Sequence, residues 1–246
     1  MELRRLGVIC LLSASVIALT GGRADASSFT YTFDSDSQGW AGLGTGSPLA
    51  LWNGSGGNPG GDVTVAVSGG ITGTGTLNPR LGISRTVALD LNNYGGTFSV
   101  DTALLAQSNL TSAGGIDIEF LGVAPGGTLF IFSYTAPLNL LGGGWNTTNV
   151  RLDTSAAWSL LLVNGPFSDS HPATQADWNT YLPLINFVQI LDNLTFLRQT
   201  GGSGTFGFDN IKLTDAPPAA VPEPTSMLLL ATGLVGLGLR RRPGRP

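Results

Sequence analysis

The chemistry available to this 246-residue chain rests on carboxylates and indoles, because almost every other reactive side chain is missing. The single cysteine, Cys10, lies in an apolar N-terminal segment, so the rest of the chain has no thiol chemistry and no disulfide. The single histidine, His171, stands directly before Pro172 in what reads as a loop, the setting of a surface residue and not of a general base. A zinc centre built on several imidazoles is therefore excluded. There is no Gly-x-Ser-x-Gly elbow, no phosphate-binding Gly-x4-Gly-Lys loop and no His-Glu-x-x-His. Carboxylates alone suffice for glycoside hydrolysis, but Glu119 is the only glutamate between residues 27 and 220. Alternation in Ile116-Asp117-Ile118-Glu119-Phe120 sends three apolar residues inward and leaves Asp117 and Glu119 as a solvated pair. The remaining acids are aspartates, which suit turns and hard-cation sites. Among the tryptophans, Trp52 and Trp145 border glycine-rich loops and are candidates for stacking on a sugar face, whereas Trp40, Trp158 and Trp178 read as core.

These residues must be held by strands. Phe29-Thr30-Tyr31-Thr32-Phe33 alternates with period two, and so does Asp62-Val63-Thr64-Val65-Ala66-Val67. Further strands are predicted at 83–91, 96–101, 116–121, 128–134, 146–152 and 157–163, with Phe187–Leu191 and Thr205–Leu213 completing the set. Gly54 to Gly61 reads as a turn incompatible with a strand interior. One helix is predicted near 173–182, with Trp178, Tyr181 and Leu182 on one face and Pro183 ending it. Many short strands and one helix imply an all-β, two-sheet sandwich formed by a single domain over residues 27–216. Residues 27–220 carry five basic and thirteen acidic side chains, a net −8 against −4 for the whole chain. Such a surface disfavours nucleic acid as a partner.

The two ends read as addresses. Met1 to Arg5 carries two arginines, Leu6 to Leu19 is apolar apart from Ser13 and Ser15, and Ala24-Asp25-Ala26 offers a signal-peptidase site. Residues 1–26 thus read as a signal peptide. At the other end, residues 217–246 hold Val221-Pro222-Glu223-Pro224, an uncharged run to Leu239, and Arg240-Arg241-Arg242. Thr225 to Leu239 is short for a bilayer core, which takes about 20 residues, and the arginines favour the cytoplasmic side. This order resembles the PEP-CTERM sorting signal. The resemblance implies an exosortase partner, a transient inner-membrane anchor and release to the cell surface.

The body resembles a laminin B domain (laminin domain IV). The match is carried by Phe33-Asp34 with Gly39-Trp40, Trp52, Gly57-Asn58-Pro59-Gly60-Gly61, Tyr94-Gly95-Gly96, Asp117 to Phe120, Trp158, Trp178 and Phe208-Asp209-Asn210-Ile211. It implies a galactose-binding-like jelly roll, related to carbohydrate-binding modules. In such folds the first and last strands lie side by side, so Asp34 and Asp209, with Asp36, are expected either to hold a structural Ca²⁺ or merely to shape turns. The expected function is non-catalytic binding or packing within extracellular polysaccharide. The alternatives are a polysaccharide hydrolase or lyase, and a structural matrix protein without a ligand.

Overall fold

A computed structural model describes residues 28–43, 50–67, 76–77, 82–108, 110–137, 143–165, 167–197 and 203–216. The sequence-predicted signal peptide and sorting segment lie outside these residues. Among the described residues no helix is long and apolar enough to cross a membrane.

The described residues form two antiparallel sheets, as expected for a jelly-roll sandwich. Sheet A runs β10 (Asn146–Arg151), β7 (Thr97–Ser108), β14 (Ser203–Thr214), β4 (Gly60–Val67) and β3 (Ala50–Gly57). The short β1 (Phe29–Tyr31) pairs with the C-terminal half of β14. Sheet B runs β12 (Phe167–Pro172), β11 (Ser159–Asn164), β9 (Leu129–Ala136), β8 (Leu110–Val123), β13 (Ile185–Leu197), β6 (Gly82–Thr86) and β2 (Ala41–Leu43). Strand β5 (Thr76–Leu77) adds to β13. The first and last strands do lie side by side, Phe29 opposite Leu213 and Tyr31 opposite Ile211.

Alternation decides the core. From sheet A, Val63, Val65, Phe98, Val100, Phe206 and Phe208 point between the sheets. From sheet B, Ile116, Ile118, Phe120, Phe130, Phe132, Val188 and Ile190 meet them. The predicted helix is α1 (Gln175–Tyr181), followed by a 3-10 turn at Leu182–Leu184. Thr174 and Asp177 close its N-terminus as a capping box. Trp178 and Leu182 are fully buried. The Trp178 indole stacks on Phe132 with centroids 4.0 Å apart and meets Trp158 edge-on at 5.6 Å.

Three expectations needed correction. Gly54 to Gly61 was expected to lie outside strands, yet it belongs to the β3–β4 hairpin. The pairing jumps from Asn53–Asp62 to Gly57–Gly60, so residues 54–56 extend an exposed edge with no partner on β4. An edge strand makes no packing demand that glycine would fail. His171 sits in β12, opposite Leu160, not in a loop. Glu119 does point away from the core, but it is buried and not solvated. The Gln189 side-chain amide donates to its carboxylate from the neighbouring strand.

Candidate functional site

The outward face of sheet A gathers three aspartates. Because Phe206 and Phe208 face the core, Asp209 points the other way. It lies opposite Asp101 on β7, while Asp62 precedes Val63, the partner of Phe208 on β4. All three are buried. A register break between Asp209 and Lys212 and a left-handed backbone at Asn210 (φ 48°) turn the Asn210 side chain back onto the group. Its amide donates to Asp101 Oδ2 at 2.8 Å and to the Asn58 carbonyl. Thr147 donates to Asp101 Oδ1 at 2.6 Å. Asp209 accepts the Asn58 backbone N–H at 2.6 Å and that of Asn210 at 2.7 Å.

The β3–β4 hairpin tip, with its cis Asn58–Pro59 bond, is the lid over this group. The tip can close only because Gly57 has no side chain. A Cβ there would meet the Gly61 carbonyl and stand 2.6 Å from Asp209 Oδ2. The other wall is Phe33, also left-handed (φ 53°). A non-glycine residue held in that region signals a constraint imposed by its surroundings. Here the Phe33 carbonyl accepts the Trp52 indole N–H at 2.6 Å.

The aspartates are held by neutral dipoles. Burial pushes the Asp209 carboxyl up to about 6. The Asn58 and Asn210 backbone N–H groups oppose this, and the charges of Asp101 and Asp62 add to it. Burial also raises Asp62, against the pull of the nearby Asn53 amide and its own backbone. Neither Asp62 oxygen has a partner in hydrogen-bonding geometry.

The expected metal ligands are not brought together. Asp34 is exposed and accepts the Thr32 hydroxyl at 2.6 Å. Asp36 is exposed and accepts the Gln38 N–H at 2.8 Å, shaping a turn. Asp209 instead joins Asp101 and Asp62. Among the described residues no three histidine, cysteine or acidic side chains converge in a metal-holding arrangement, so Asp34, Asp36 and Asp209 do not fit a Ca²⁺ site as a set.

The two candidate stacking residues are also separated. Trp52 pairs with Val63, which places it on the inward face of sheet A, at the open edge formed by β3. The residue is 42% exposed and its ring lies against Gly54, while the exposed Leu51 before it points to the opposite face. Trp145 lies on the outward face, half-buried. Its ring covers Gly207 beside Leu105, and its N–H donates to the Gly56 carbonyl at 3.1 Å. Trp40, Trp158 and Trp178 are buried, as the sequence implied.

On sheet B the outward face is ordered in rows across the strands. Ser84, Gln189, Glu119, Ser133 and Ser159 form a polar row, flanked by Phe187, Leu121, Ile131 and Leu161. Asp117 accepts the Thr135 hydroxyl at 2.6 Å. Asp117 and Glu119 are thus tied to separate neighbours and do not face each other as an acid–base pair. His171 sits between Asp169 and Asp177, at 3.5 and 3.3 Å. The Asp177 carboxyl is held low despite partial burial, by the Thr174 hydroxyl and N–H and by His171.

Sequence reasoning did not single out Asp62 and Asp101. Each is an ordinary aspartate in an alternating strand, and only the pairing of three strands distant in sequence reveals the cluster.

Comparison with known proteins places residues 220–242 within the PEP-CTERM protein-sorting motif. Val221, Pro222, Glu223, Pro224, Arg240, Arg241 and Arg242 fall inside this match and outside the described residues. No curated protein matches the chain. Solved structures similar in fold include a xylan-binding domain from CBM 22. It has 12% identity and a TM-score of 0.45, with 79% of this chain and 99% of that one covered. Another is a family 11 carbohydrate-binding module from Clostridium thermocellum in complex with a β-1,3-1,4-mixed-linked tetrasaccharide. It has 18% identity and a TM-score of 0.44, with 78% and 98% covered.

Proposed function

We propose that this chain, exported and sorted through an exosortase by its PEP-CTERM motif, is a non-catalytic surface module that binds extracellular polysaccharide. In this reading signal peptidase removes residues 1–26, and the C-terminal segment is a transient inner-membrane anchor. The likeness of the body to laminin domain IV, and through it to jelly rolls that contact extracellular polymers, supports the same reading.

The observation that carries the proposal is Trp52. Indoles elsewhere in the body are packed inside or half-covered, but this one is exposed on a sheet edge and braced by its N–H bond to the Phe33 carbonyl. A fixed aromatic face with its polar tip already satisfied suits the CH-rich face of a sugar, because little side-chain freedom remains to be lost on contact. The net −8 of residues 27–220 selects against polyanionic glycans.

Affinity electrophoresis through gels containing neutral, amine-bearing or anionic polysaccharides tests this. Retardation by a neutral or amine-bearing polymer is expected. Trp52→Ala should weaken it roughly tenfold, about 1.4 kcal/mol, with circular dichroism unchanged. Equal loss with Trp145→Ala and none with Trp52→Ala would transfer the contact to the opposite face of sheet A. Absence of retardation in every gel would favour a ligand-free matrix protein.

A further inference from the structure

Asn53 and Gly54 form one of two Asn-Gly pairs in the body, the other being Asn164-Gly165. Both pairs are exposed. Their settings differ. Asn164 ends β11 and pairs with Phe167 across a tight turn, where Gly165 has φ 59°. Asn53 is the last residue of β3 to pair with β4 before the register jumps, so Gly54 lies outside that ladder.

The Asn53 side chain is folded back on its own backbone. Its Oδ1 accepts the Ser55 N–H at 3.4 Å, a turn that closes around the Gly54 peptide. Such a turn brings Cγ close to the Gly54 nitrogen. It also aims a backbone N–H at the oxygen on which negative charge develops if that nitrogen attacks. Gly54 offers no side chain to hinder the approach. On the far side, Asn53 Nδ2 and the buried Asp62 Oδ1 lie 3.0 and 3.3 Å from the point a Gly56 Cβ would occupy, so both stand at the same glycine.

We propose that Asn53-Gly54 is a self-modifying site, at which Asn53 converts to aspartate and isoaspartate in the folded protein. The Gly54 amide nitrogen loses its proton to solvent and bonds to Asn53 Cγ. The Cγ–Nδ2 bond then breaks, and ammonia departs with a proton taken from solvent or from Asp62, leaving a five-membered succinimide. Water adds to either imide carbonyl. One route restores the peptide with an aspartate, and the other carries the chain through the side-chain carboxyl. The reaction consumes one water, releases one ammonia and needs no oxidant or reductant.

The product matters because of where it forms. Asn53 pairs with Asp62, so a new carboxylate stands beside the group formed by Asp62, Asp101 and Asp209, none of which has a basic partner in an ion pair among the described residues. The modification adds like charge under the hairpin tip and loosens the lid in proportion to the protein's age outside the cell.

The test incubates the purified full chain at neutral pH and 37 °C. Peptide mapping and enzymatic isoaspartate detection then follow both pairs, folded and in urea. In the folded protein Asn53 is expected to convert at least threefold faster than Asn164, and Asp62→Asn is expected to slow Asn53 while leaving Asn164 unchanged. Asn53→Asp, made directly, should lower the unfolding midpoint at pH 8 more than at pH 4.5. Retention of the Asn53 amide while Asn164 converts would overturn the proposal, since the strand would then be protecting the site. Equal rates at the two pairs in the folded chain, matching those in urea, would overturn it too, by reducing Asn53 to an unstructured Asn-Gly.

Discussion

The Asp209→Asn exchange should reverse the sign of its effect between acid and alkaline pH. In the folded protein the Asp209 carboxyl is pushed up to about 6 from an ordinary 3.8. Its contribution is therefore fully favourable below about pH 3.8, declines as pH rises through 6, and stays at its lower value above that. A shift of about two units corresponds to about 3 kcal/mol at full burial, and Asp209 is fully buried. Asparagine removes the ionisation and this cost with it. It has only one carbonyl oxygen, however, for the two backbone N–H groups of Asn58 and Asn210, a loss of about 1–2 kcal/mol. The variant should thus be about 1–2 kcal/mol more stable than wild type at pH 8 and up to about 1 kcal/mol less stable at pH 4.5, where about 1 kcal/mol of the ionisation cost is already present.

Urea unfolding of both proteins at the two pH values, followed by tryptophan fluorescence, measures this. The difference between the proteins isolates Asp209 from Asp62, whose raised carboxyl acts in the same direction, and from Asp153 and Asp177. The last two are lowered, and their contributions are lost only as pH falls through their folded values. Each titration is run with chelator and with millimolar calcium. A variant less stable than wild type at both pH values, or a calcium-dependent gain at pH 8 seen only in wild type, refutes the reasoning. The second result would mean that a cation offsets the charges in place of a proton.

Trp178→Ala should cost about 3–5 kcal/mol, the range for truncating a buried large aromatic, because the indole touches Phe132, Trp158 and Tyr94 at once. A loss below about 1 kcal/mol in chemical denaturation would mean that the helix is peripheral to the core. Intact-mass analysis of protein from the native host should find a species beginning near Ser27 and ending near Pro222. Dominance of a form that retains Arg240 to Arg242 would contradict sorting by cleavage.

What the sequence revealed and what it concealed follow from the range of the forces involved. Alternation is local, so the core faces of β4, β8 and β14 could be read from Val63, Ile116 to Phe120 and Phe206 to Ile211. The helix was legible because Trp178 and Leu182 repeat at helical spacing before a proline. The extent of β3 was hidden, since Gly54 to Gly57 carry no apolar signal and their strand geometry comes from the hairpin they close. The position of the carboxylates was hidden more deeply. Asp34, just past β1, and Asp209, within β14, do belong to neighbouring strands, but their surroundings depend on the bulge at Asn210 and the left-handed turn at Phe33. Asp209 meets Asp101 through the ladder itself, the bulge folds Asn210 over the pair, and Asp34 stays exposed beside Gly60. Glu119 misled for a related reason: an outward strand position is solvated only if its neighbours are small, and Gln189 and Leu121 are not.

The last of the described strands in chain order is the middle strand of sheet A. Strand β14 separates β7 from β4 and, among the described residues, is the only partner of β1, so β1, the β3–β4 hairpin and the β7–β10 pair are joined to one another only through residues 203–214. Long-range pairings of this kind form late and slowly. Sheet A therefore assembles through long-range pairings that close last at its centre.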